Sequence, residues 1–313
     1  MALEPEMREF IARNEAFLAP GYWQESIAEQ RRRYDALCRA YDFGRPAGLE
    51  VHELAIPGPA GAIPARLYRK PAPEVQAGLV YLHGGSWYLG GLDSHDSITA
   101  ELAERAGITV VAVEYRLAPE HLFPAACDDA LAALDWIAGH AADLAIDPAR
   151  LGVGGDSAGG NLAAGLALAA RDRGGPPLKA QLLIYPALDR HDAEASNAPG
   201  APLLEAEEIR FAFRCYTGAD AVPADPRAAP LLADDFSGLP PAAILAAEAD
   251  PLLRDAERYA QVLTAAGVPV ELEVAKGVVH GFLRARRMSP ESDRGFAWLC
   301  DAARRRLDGG AAG

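Results

Sequence analysis

The chain has 313 residues, of which 50% are hydrophobic and 24% are charged, so its composition is globular rather than disordered. The 44 acidic residues outnumber the 30 basic ones and give a formal net charge of −14, which argues against a nucleic-acid-binding surface. The acidic N-terminus lacks the basic and apolar regions of a secretory signal, so we expect a cytoplasmic protein. The most apolar stretch, residues 151–170, contains polar residues and six glycines and predicts no membrane span.

The cysteines, at positions 38, 127, 215 and 300, are far apart in the sequence. They form no C-x-x-C pair and no cluster with histidine at metal-ligand spacing. We therefore expect reduced thiols, no metal site and no cofactor. The sequence leaves open whether the protein forms a homodimer.

The chain begins with a helical pattern over residues 1–46. From about residue 50 to residue 300, β-branched runs alternate with amphipathic helical stretches, which predicts an α/β fold with a mainly parallel sheet between helices. The predicted strands are residues 78–82, 109–114, 151–154, 181–185, 243–247 and 270–274. The predicted helices are residues 94–106, 125–138, 159–171, 252–266 and 291–306.

Residues 190–238 interrupt the alternation with a Pro/Asp/Ala-rich insertion that contains one helical run, residues 203–216. Long excursions of this kind are usually functional or disordered. The aromatic residues Phe211, Phe213 and Tyr216 favour an ordered insertion. The low-complexity tail, residues 308–313, is expected to be mobile.

The strongest local motif is Gly155-Asp-Ser-Ala-Gly159, a G-x-S-x-G between a predicted strand and a predicted helix. A serine on such a tight turn is pushed out above the edge of the sheet, which makes Ser157 a candidate nucleophile. The alternatives are a plain glycine-rich turn and a nucleotide-binding loop. The nucleotide-binding loop is disfavoured because the third glycine of a Rossmann fingerprint and the G-K-[ST] of a P-loop are both missing.

A second motif, His83-Gly-Gly-Ser-Trp87, directly follows the strand predicted over residues 78–82. Alone it is equally typical of a turn. Acyl transfer needs N–H donors that stabilise an oxyanion, and a glycine-rich loop can aim consecutive N–H groups at one point. The candidate donors are Gly84, Gly85 and Ser86 in this loop and Ala158 after the nucleophile.

The order nucleophile, acid, histidine places the remaining candidates late in the chain. His280 is the only histidine that follows the candidate acids, and it lies in a loop after a predicted strand. Asp250 ends the run of residues 242–249 and is the preferred acid because the last residue of a strand can lean over the sheet edge. Glu248 is the rival acid, two residues earlier.

These motifs, together with Tyr115-Arg-Leu-Ala-Pro-Glu120, Tyr185-Pro-Ala-Leu-Asp189 and His280-Gly-Phe282, resemble the hormone-sensitive-lipase-like esterases of the α/β-hydrolase fold. The resemblance covers nearly the whole chain. It implies an eight-stranded, mostly parallel sheet in a core of residues 47–189 and 239–307, with a helical cap made of residues 1–46 and 190–238. It also implies a triad of Ser157, His280 and Asp250. The sequence departs from the family pattern where Ser86 replaces a third glycine.

The resulting expectation is a serine carboxylic-ester hydrolase acting on small esters of short to medium acyl chain. Its alternatives are an arylformamidase or amidase with the same triad and, less favoured, a non-catalytic ligand-binding protein on this fold. Asp156 has two interpretations, as a brace for the nucleophile turn and as a substrate contact. The candidate substrate-binding residues are Trp87, Asp156, Trp23, Phe211 and Phe213.

Overall fold

The structure is a computed structural model that describes residues 3–190, 201–220 and 222–308. Within these residues, eight strands form one sheet in the order β1-β2-β4-β3-β5-β6-β7-β8. The first two strands form an antiparallel hairpin, β2 is also antiparallel to β4, and the other neighbours are parallel. The strands are β1 (Glu50–Gly58), β2 (Gly61–Arg69), β3 (Gln76–Leu82), β4 (Thr109–Val113), β5 (Ile146–Asp156), β6 (Ala180–Ile184), β7 (Ala242–Ala249) and β8 (Val270–Val279).

Helices cover both faces of this sheet, because the central strands are apolar on both sides. Along β3, Leu79 and Tyr81 pack into one hydrophobic core and Val80 and Leu82 into the other, as the two-residue period of a strand requires. The helices are α1 (Pro5–Phe17), α2 (Ile27–Ala40), α3 (Leu92–Ala106), α4 (Ala125–Gly139), α5 (Ala158–Asp172), α6 (Ala206–Thr217), α7 (Leu253–Ala265) and α8 (Pro290–Asp308). The core that contains Val80 and Leu82 includes side chains of α4, α5 and α7, and the core that contains Leu79 and Tyr81 includes side chains of α3 and α8.

The predicted α/β-hydrolase fold is confirmed, and every predicted core strand and helix is present with shifted ends. The prediction omitted the β1–β2 hairpin. The paired residues of this hairpin include two prolines, Pro57 on β1 and Pro64 on β2. Proline weakens a strand pattern. Pro57 is tolerated because one side of the edge strand β1 has no ladder to complete, and Pro64 on β2 lies just before residues 65–68, which pair with β4. The helix predicted from residue 203 begins at Ala206, since Leu203 has a positive φ of 70°.

The N-terminal segment and α6 lie against each other. Tyr22 donates its hydroxyl hydrogen to the carboxylate of Glu208 at 2.7 Å, and the rings of Trp23 and Phe211 are 5.7 Å apart. Residues 191–200 of the predicted insertion and residues 309–313 of the predicted tail lie outside the described residues. Asp308, predicted as the first tail residue, is instead the last residue of α8.

Candidate active site

Ser157 occupies the one-residue turn between β5 and α5, with φ 55° and ψ −116°. A non-glycine residue in this region costs about 1–3 kcal/mol and needs support from its surroundings. The support is close packing, because a Cβ atom at Gly155 or at Gly159 would overlap the carbonyl oxygen of Leu82 on β3. The two glycines of the motif therefore let β5 and α5 approach β3, and the serine is held at the carboxyl end of the sheet.

Two hydrogen bonds join the three candidate catalytic side chains. The Oγ of Ser157 lies 2.9 Å from Nε2 of His280, and Nδ1 of His280 lies 2.7 Å from Oδ2 of Asp250. With Nδ1–H donating to the carboxylate, Nε2 is free to accept the serine hydrogen. The second oxygen of Asp250 accepts the N–H of Leu252 at 2.8 Å, which fixes the carboxylate.

The rival acid, Glu248, is not brought to His280. Its carboxylate accepts the backbone N–H of Gly277 at 2.9 Å and the ammonium of Lys276 at 3.2 Å. The hydrogen bond from Gly277 and, to a smaller extent, the interaction with Lys276 hold the pKa of Glu248 below its ordinary value. The geometry thus favours Asp250 over Glu248 as the acid beside His280.

Burial and charge act in opposite directions on His280. Burial disfavours the imidazolium, but the Asp250 carboxylate outweighs burial, and the pKa of His280 is raised above its ordinary value. The site is therefore arranged to favour a proton on this ring, which is the state that the ring enters when it accepts the hydrogen of Ser157.

The loop after β3 lies beside Ser157 and contains predicted oxyanion donors. Gly85 has a φ of 124° and Ser86 a φ of 54°, so both lie in the positive-φ region. Within the described residues, the N–H groups of Gly85, Ser86 and Ala158 make no hydrogen bond. Because both loop residues and Ser157 line one cavity, these three donors are suitably placed to stabilise an oxyanion.

Gly84 differs from the other predicted donors. Its N–H donates to Oδ1 of Asp156 at 3.0 Å, so it is not free to stabilise an oxyanion. The structure therefore does not support the predicted role of Gly84 in the oxyanion hole. Sequence alone could not separate Gly84 from Gly85, because the acceptor comes from a residue 72 positions later.

Asp156 is buried and braces this loop against the nucleophile turn. Its carboxylate accepts the N–H of Gly84 and, at 2.7 Å, the hydroxyl hydrogen of Tyr81, and it lies 3.3 Å from Nε2 of His95. Burial alone would raise the pKa of Asp156, but interactions with His95 and Tyr81 outweigh burial and lower it. Asp156 also lines the cavity, so both of its predicted interpretations remain compatible with the structure.

A cavity of about 100 Å³ contains Ser157 and His280. Trp23, Trp87, Phe211 and Phe213, all predicted to contact substrate, are not among the described residues that line it. Sequence analysis missed the side chains that do line it from the N-terminal segment and from the region of α6. They include Asn14, Leu18, Tyr34, Leu37, Leu203, Leu204 and Glu208. Tyr22, one of the aromatic residues from which the sequence suggests an apolar pocket, lines the cavity with them.

The predicted aromatic residues pack against one another instead. Trp87 is stacked on Tyr216 with ring centroids 4.7 Å apart and is 4.6 Å from the ring of Phe213. Phe211 lies between Trp23 and Tyr88, at 5.7 and 5.8 Å. Large apolar rings gain more by burying area against each other than by facing a small cavity. An aromatic residue in a cap segment is therefore a weak signal for substrate contact.

Comparisons with known proteins agree with the fold. A protein-family profile described as alpha/beta hydrolase fold matches residues 79–284. The chain is 40% identical to a Mycobacterium tuberculosis protein named carboxylic ester hydrolase LipN, over 97% of this chain and 83% of that one. It is 42% identical to the ethyl acetate hydrolase of Pseudomonas putida, over 78% of this chain and 79% of that one.

Solved structures give the same result. A hyperthermophilic esterase from the archaeon Pyrobaculum calidifontis superposes with a TM-score of 0.90 at 35% identity, over 97% of this chain and 98% of that one. The chain therefore belongs to the α/β-hydrolase family, and the predicted resemblance to its hormone-sensitive-lipase-like esterases is confirmed. The protein is a carboxylic ester hydrolase. In the part of the chain that the structure describes, no helix is both long and apolar enough to cross a membrane.

Proposed function

We propose that Ser157, His280 and Asp250 form a catalytic triad that hydrolyses esters of short to medium acyl chain through an acyl-enzyme intermediate. The observation that carries this proposal is the unbroken chain of hydrogen bonds from the Ser157 hydroxyl through the imidazole to the Asp250 carboxylate. Such an arrangement serves nucleophilic catalysis because the weakly acidic hydroxyl needs an adjacent base, and the base needs a group that orients it.

In the acylation step, Oγ of Ser157 bonds to the ester carbonyl carbon while its proton passes to Nε2 of His280. The carbonyl oxygen becomes an oxyanion and accepts hydrogen bonds from the N–H groups of Gly85, Ser86 and Ala158. The imidazolium then gives its proton to the alkoxide as the bond to the alcohol breaks. Removing one such oxyanion donor costs other enzymes about 10²- to 10³-fold in kcat.

In the deacylation step, water takes the place of the alcohol. His280 accepts a proton from water, the resulting hydroxide attacks the acyl carbon, and the returned proton restores the Ser157 hydroxyl. Asp250 keeps its charge throughout and stabilises the imidazolium. The raised pKa of His280 supports this role, since the same carboxylate that raises it also favours the ion pair formed in the reaction.

The proposed limit on acyl length rests on the cavity. A volume of about 100 Å³ around Ser157 suits small acyl groups. Its outer walls come from residues 1–46 and from the described part of residues 190–238, which we propose act together as a cap that sets substrate preference. The contact between Tyr22 and Glu208, 186 positions apart, supports this joint role.

A covalent trap tests the nucleophile directly. An alkyl p-nitrophenyl phosphonate should release one equivalent of p-nitrophenol per chain and add its phosphonyl group to the peptide that contains Ser157, as read by mass spectrometry. The Ser157→Ala variant should not be labelled. The Ser237→Ala variant, which alters an exposed serine on the surface, is the matched control and should be labelled like the wild type. Labelling of another residue in wild type would refute the assignment.

A further inference from the structure

A buried carboxyl group in the Ser157 cavity has no part in the mechanism above. Glu208, on the first turn of α6, is 6% exposed and lines the cavity together with Ser157 and His280. The described residues supply it with a hydrogen bond from the Tyr22 hydroxyl at 2.7 Å and with no ion pair. A buried carboxylate without a cation is costly, so such a group is usually neutral or matched by a ligand.

The other two carboxylates of the cavity each have a basic partner. Asp250 is paired with His280, and Asp156 is held by His95 and by the charge of Arg284. The guanidinium of Arg284 is itself fixed by the carbonyl oxygen of Ser94 and the hydroxyl of Tyr34, both at 2.9 Å. Glu208 is therefore the one among these carboxylates that is paired with neither an imidazole nor a guanidinium in the described residues.

Glu208 also lies where substrate groups would extend. A second cavity, of about 430 Å³, shares Asn14, Leu18, Tyr22, Leu203 and Glu208 with the Ser157 cavity. The carboxyl group thus stands in the wall between the reacting ester and a larger space. A group attached to the ester and directed toward that space would pass beside Glu208.

We propose that Glu208 forms a subsite for a cationic group, so that this enzyme prefers esters that carry an ammonium group over neutral esters of the same shape. The inference rests on the proposed triad, because the ester must reach Ser157. The ammonium would supply the charge that the described residues do not, and Tyr22 would hold the carboxylate in place.

The subsite should depend on pH through Glu208. Glu15 and Glu205 also line the larger cavity, and Glu205 places a further carboxylate near Glu208. Burial raises the pKa of Glu208 to about 7, against the lowering effect of the Tyr22 hydrogen bond, a backbone hydrogen bond from Glu205 and the nearby His280. Tyr22, Tyr34 and Tyr88 have raised pKa values and stay neutral near pH 7, and Arg284 stays charged. Burial lowers the pKa of His95, which stays neutral there too.

The test compares esters that differ only in charge. Butyrylcholine carries the cation in the alcohol group, and it is compared with the neutral ester 3,3-dimethylbutyl butyrate. The p-nitrophenyl ester of 4-(trimethylammonio)butyrate carries the cation in the acyl group, and it is compared with the neutral p-nitrophenyl ester of 5,5-dimethylhexanoate. The measured quantity is the ratio of kcat/KM, cationic over neutral, between about pH 5.5 and about pH 8.5, a range that brackets the ionisation of Glu208.

Ionisation of His280 cancels in this ratio because it affects both esters of a pair through the same free enzyme. In wild type the ratio should rise about tenfold with pH for at least one pair, as expected for a carboxylate that meets a cation at partial burial. The Glu208→Gln variant should give a ratio that is low and independent of pH. The matched control is Glu207→Gln, which removes an exposed carboxylate one residue away and should behave like wild type.

A wild-type ratio that does not change with pH in either pair would overturn the inference. This test uses the wild-type protein alone, so it does not depend on whether a variant folds. Equal losses of kcat/KM for the cationic and the neutral esters in Glu208→Gln would also overturn the inference. They would indicate that Glu208 only stabilises the N-terminal turn of α6. If wild type hydrolyses the neutral esters without showing the ratio change, only the subsite is refuted. If neither ester of a pair reacts and Ser157 is not labelled by phosphonate, the proposed triad is refuted, and the subsite that rests on it is refuted too.

Discussion

At the scale of single residues, the choice between Asp250 and Glu248 is the sharpest test of the proposed triad. Asp250→Asn should lower kcat about 10⁴-fold, because an amide at this position favours the wrong imidazole tautomer. Glu248→Gln should change kcat by less than about twofold, since it loses only one exposed ion pair. Steady-state kinetics on p-nitrophenyl acetate decides, and the opposite ranking would exclude Asp250 as the orienting acid.

The titration of His280 gives a second prediction at this scale. The ring must be neutral to accept the Ser157 proton, and Asp250 raises the pKa of His280 above its ordinary value of 6.5 despite burial. Activity should therefore be lost as pH falls, with the midpoint of kcat/KM for a neutral ester above 6.5. A pH profile on p-nitrophenyl acetate measures this midpoint, and a midpoint clearly below 6.5 would contradict the ion pair.

The sequence was sufficient to predict that Ser157, Asp250 and His280 meet, because each follows a strand and the order of strands in the chain constrains which side chains share the sheet edge. It was not sufficient for Gly84. That residue has the same local sequence character as Gly85, and only the position of the Asp156 carboxylate distinguishes the two N–H groups.

At the scale of elements, Asp156 connects the end of β5 with the loop after β3, and this connection should matter for catalysis. In Asp156→Asn the amide oxygen can still accept from the Gly84 N–H and the Tyr81 hydroxyl, which both donate to Oδ1, but without a negative charge it binds them more weakly. The amide nitrogen replaces the oxygen that faces Nε2 of His95. We expect the oxyanion loop to loosen and kcat to fall about 10- to 100-fold with little change in KM, because the lost interaction belongs to the transition state.

Circular dichroism should show that Asp156→Asn remains folded, which separates this effect from global unfolding. The matched variant is Asp147→Asn, which alters an aspartate near the opposite end of β5 that pairs with Arg150. It should retain wild-type kcat. A fall in kcat/KM of Asp156→Asn that comes entirely from KM would instead favour the interpretation of Asp156 as a substrate contact.

The elements that sequence reasoning located poorly share one property, namely that neighbours distant in the sequence determine them. The β1–β2 hairpin is stabilised by pairing with β4, and its prolines hide its strand pattern. Helix α7 was located well because Ala256, Tyr259 and Leu263 fall on one predicted face, and all three are buried. A periodic pattern is local information, whereas strand pairing is not.

At the scale of the whole molecule, the cap and the core should have separable effects. Leu204→Ala widens the Ser157 cavity and should shift the kcat/KM profile toward longer acyl chains, by up to about tenfold per added methylene. Phe213→Ala, which removes a buried ring beside Trp87, should cost about 3 kcal/mol in the free energy of unfolding. Its acyl-length profile should stay that of wild type.

A series of p-nitrophenyl esters of increasing acyl length measures the kcat/KM profile of each variant. Urea denaturation measures its free energy of unfolding. If Phe213→Ala changed the profile and Leu204→Ala did not, the cap aromatics would be substrate contacts after all. The sequence could assign Leu204 and Phe213 to the proposed cap but could not decide their roles. An aromatic side chain that packs and one that lines a cavity have the same local pattern.

The crowding at the nucleophile turn has a consequence for laboratory evolution of this enzyme. A side chain at Gly155 or Gly159 would collide with the carbonyl oxygen of Leu82, a backbone atom that cannot rotate away. Libraries that randomise the turn would therefore consist largely of chains unable to fold. Leu18 and Leu204 lie in the cavity wall without that restriction, so new substrate ranges should be selectable there while the turn stays untouched.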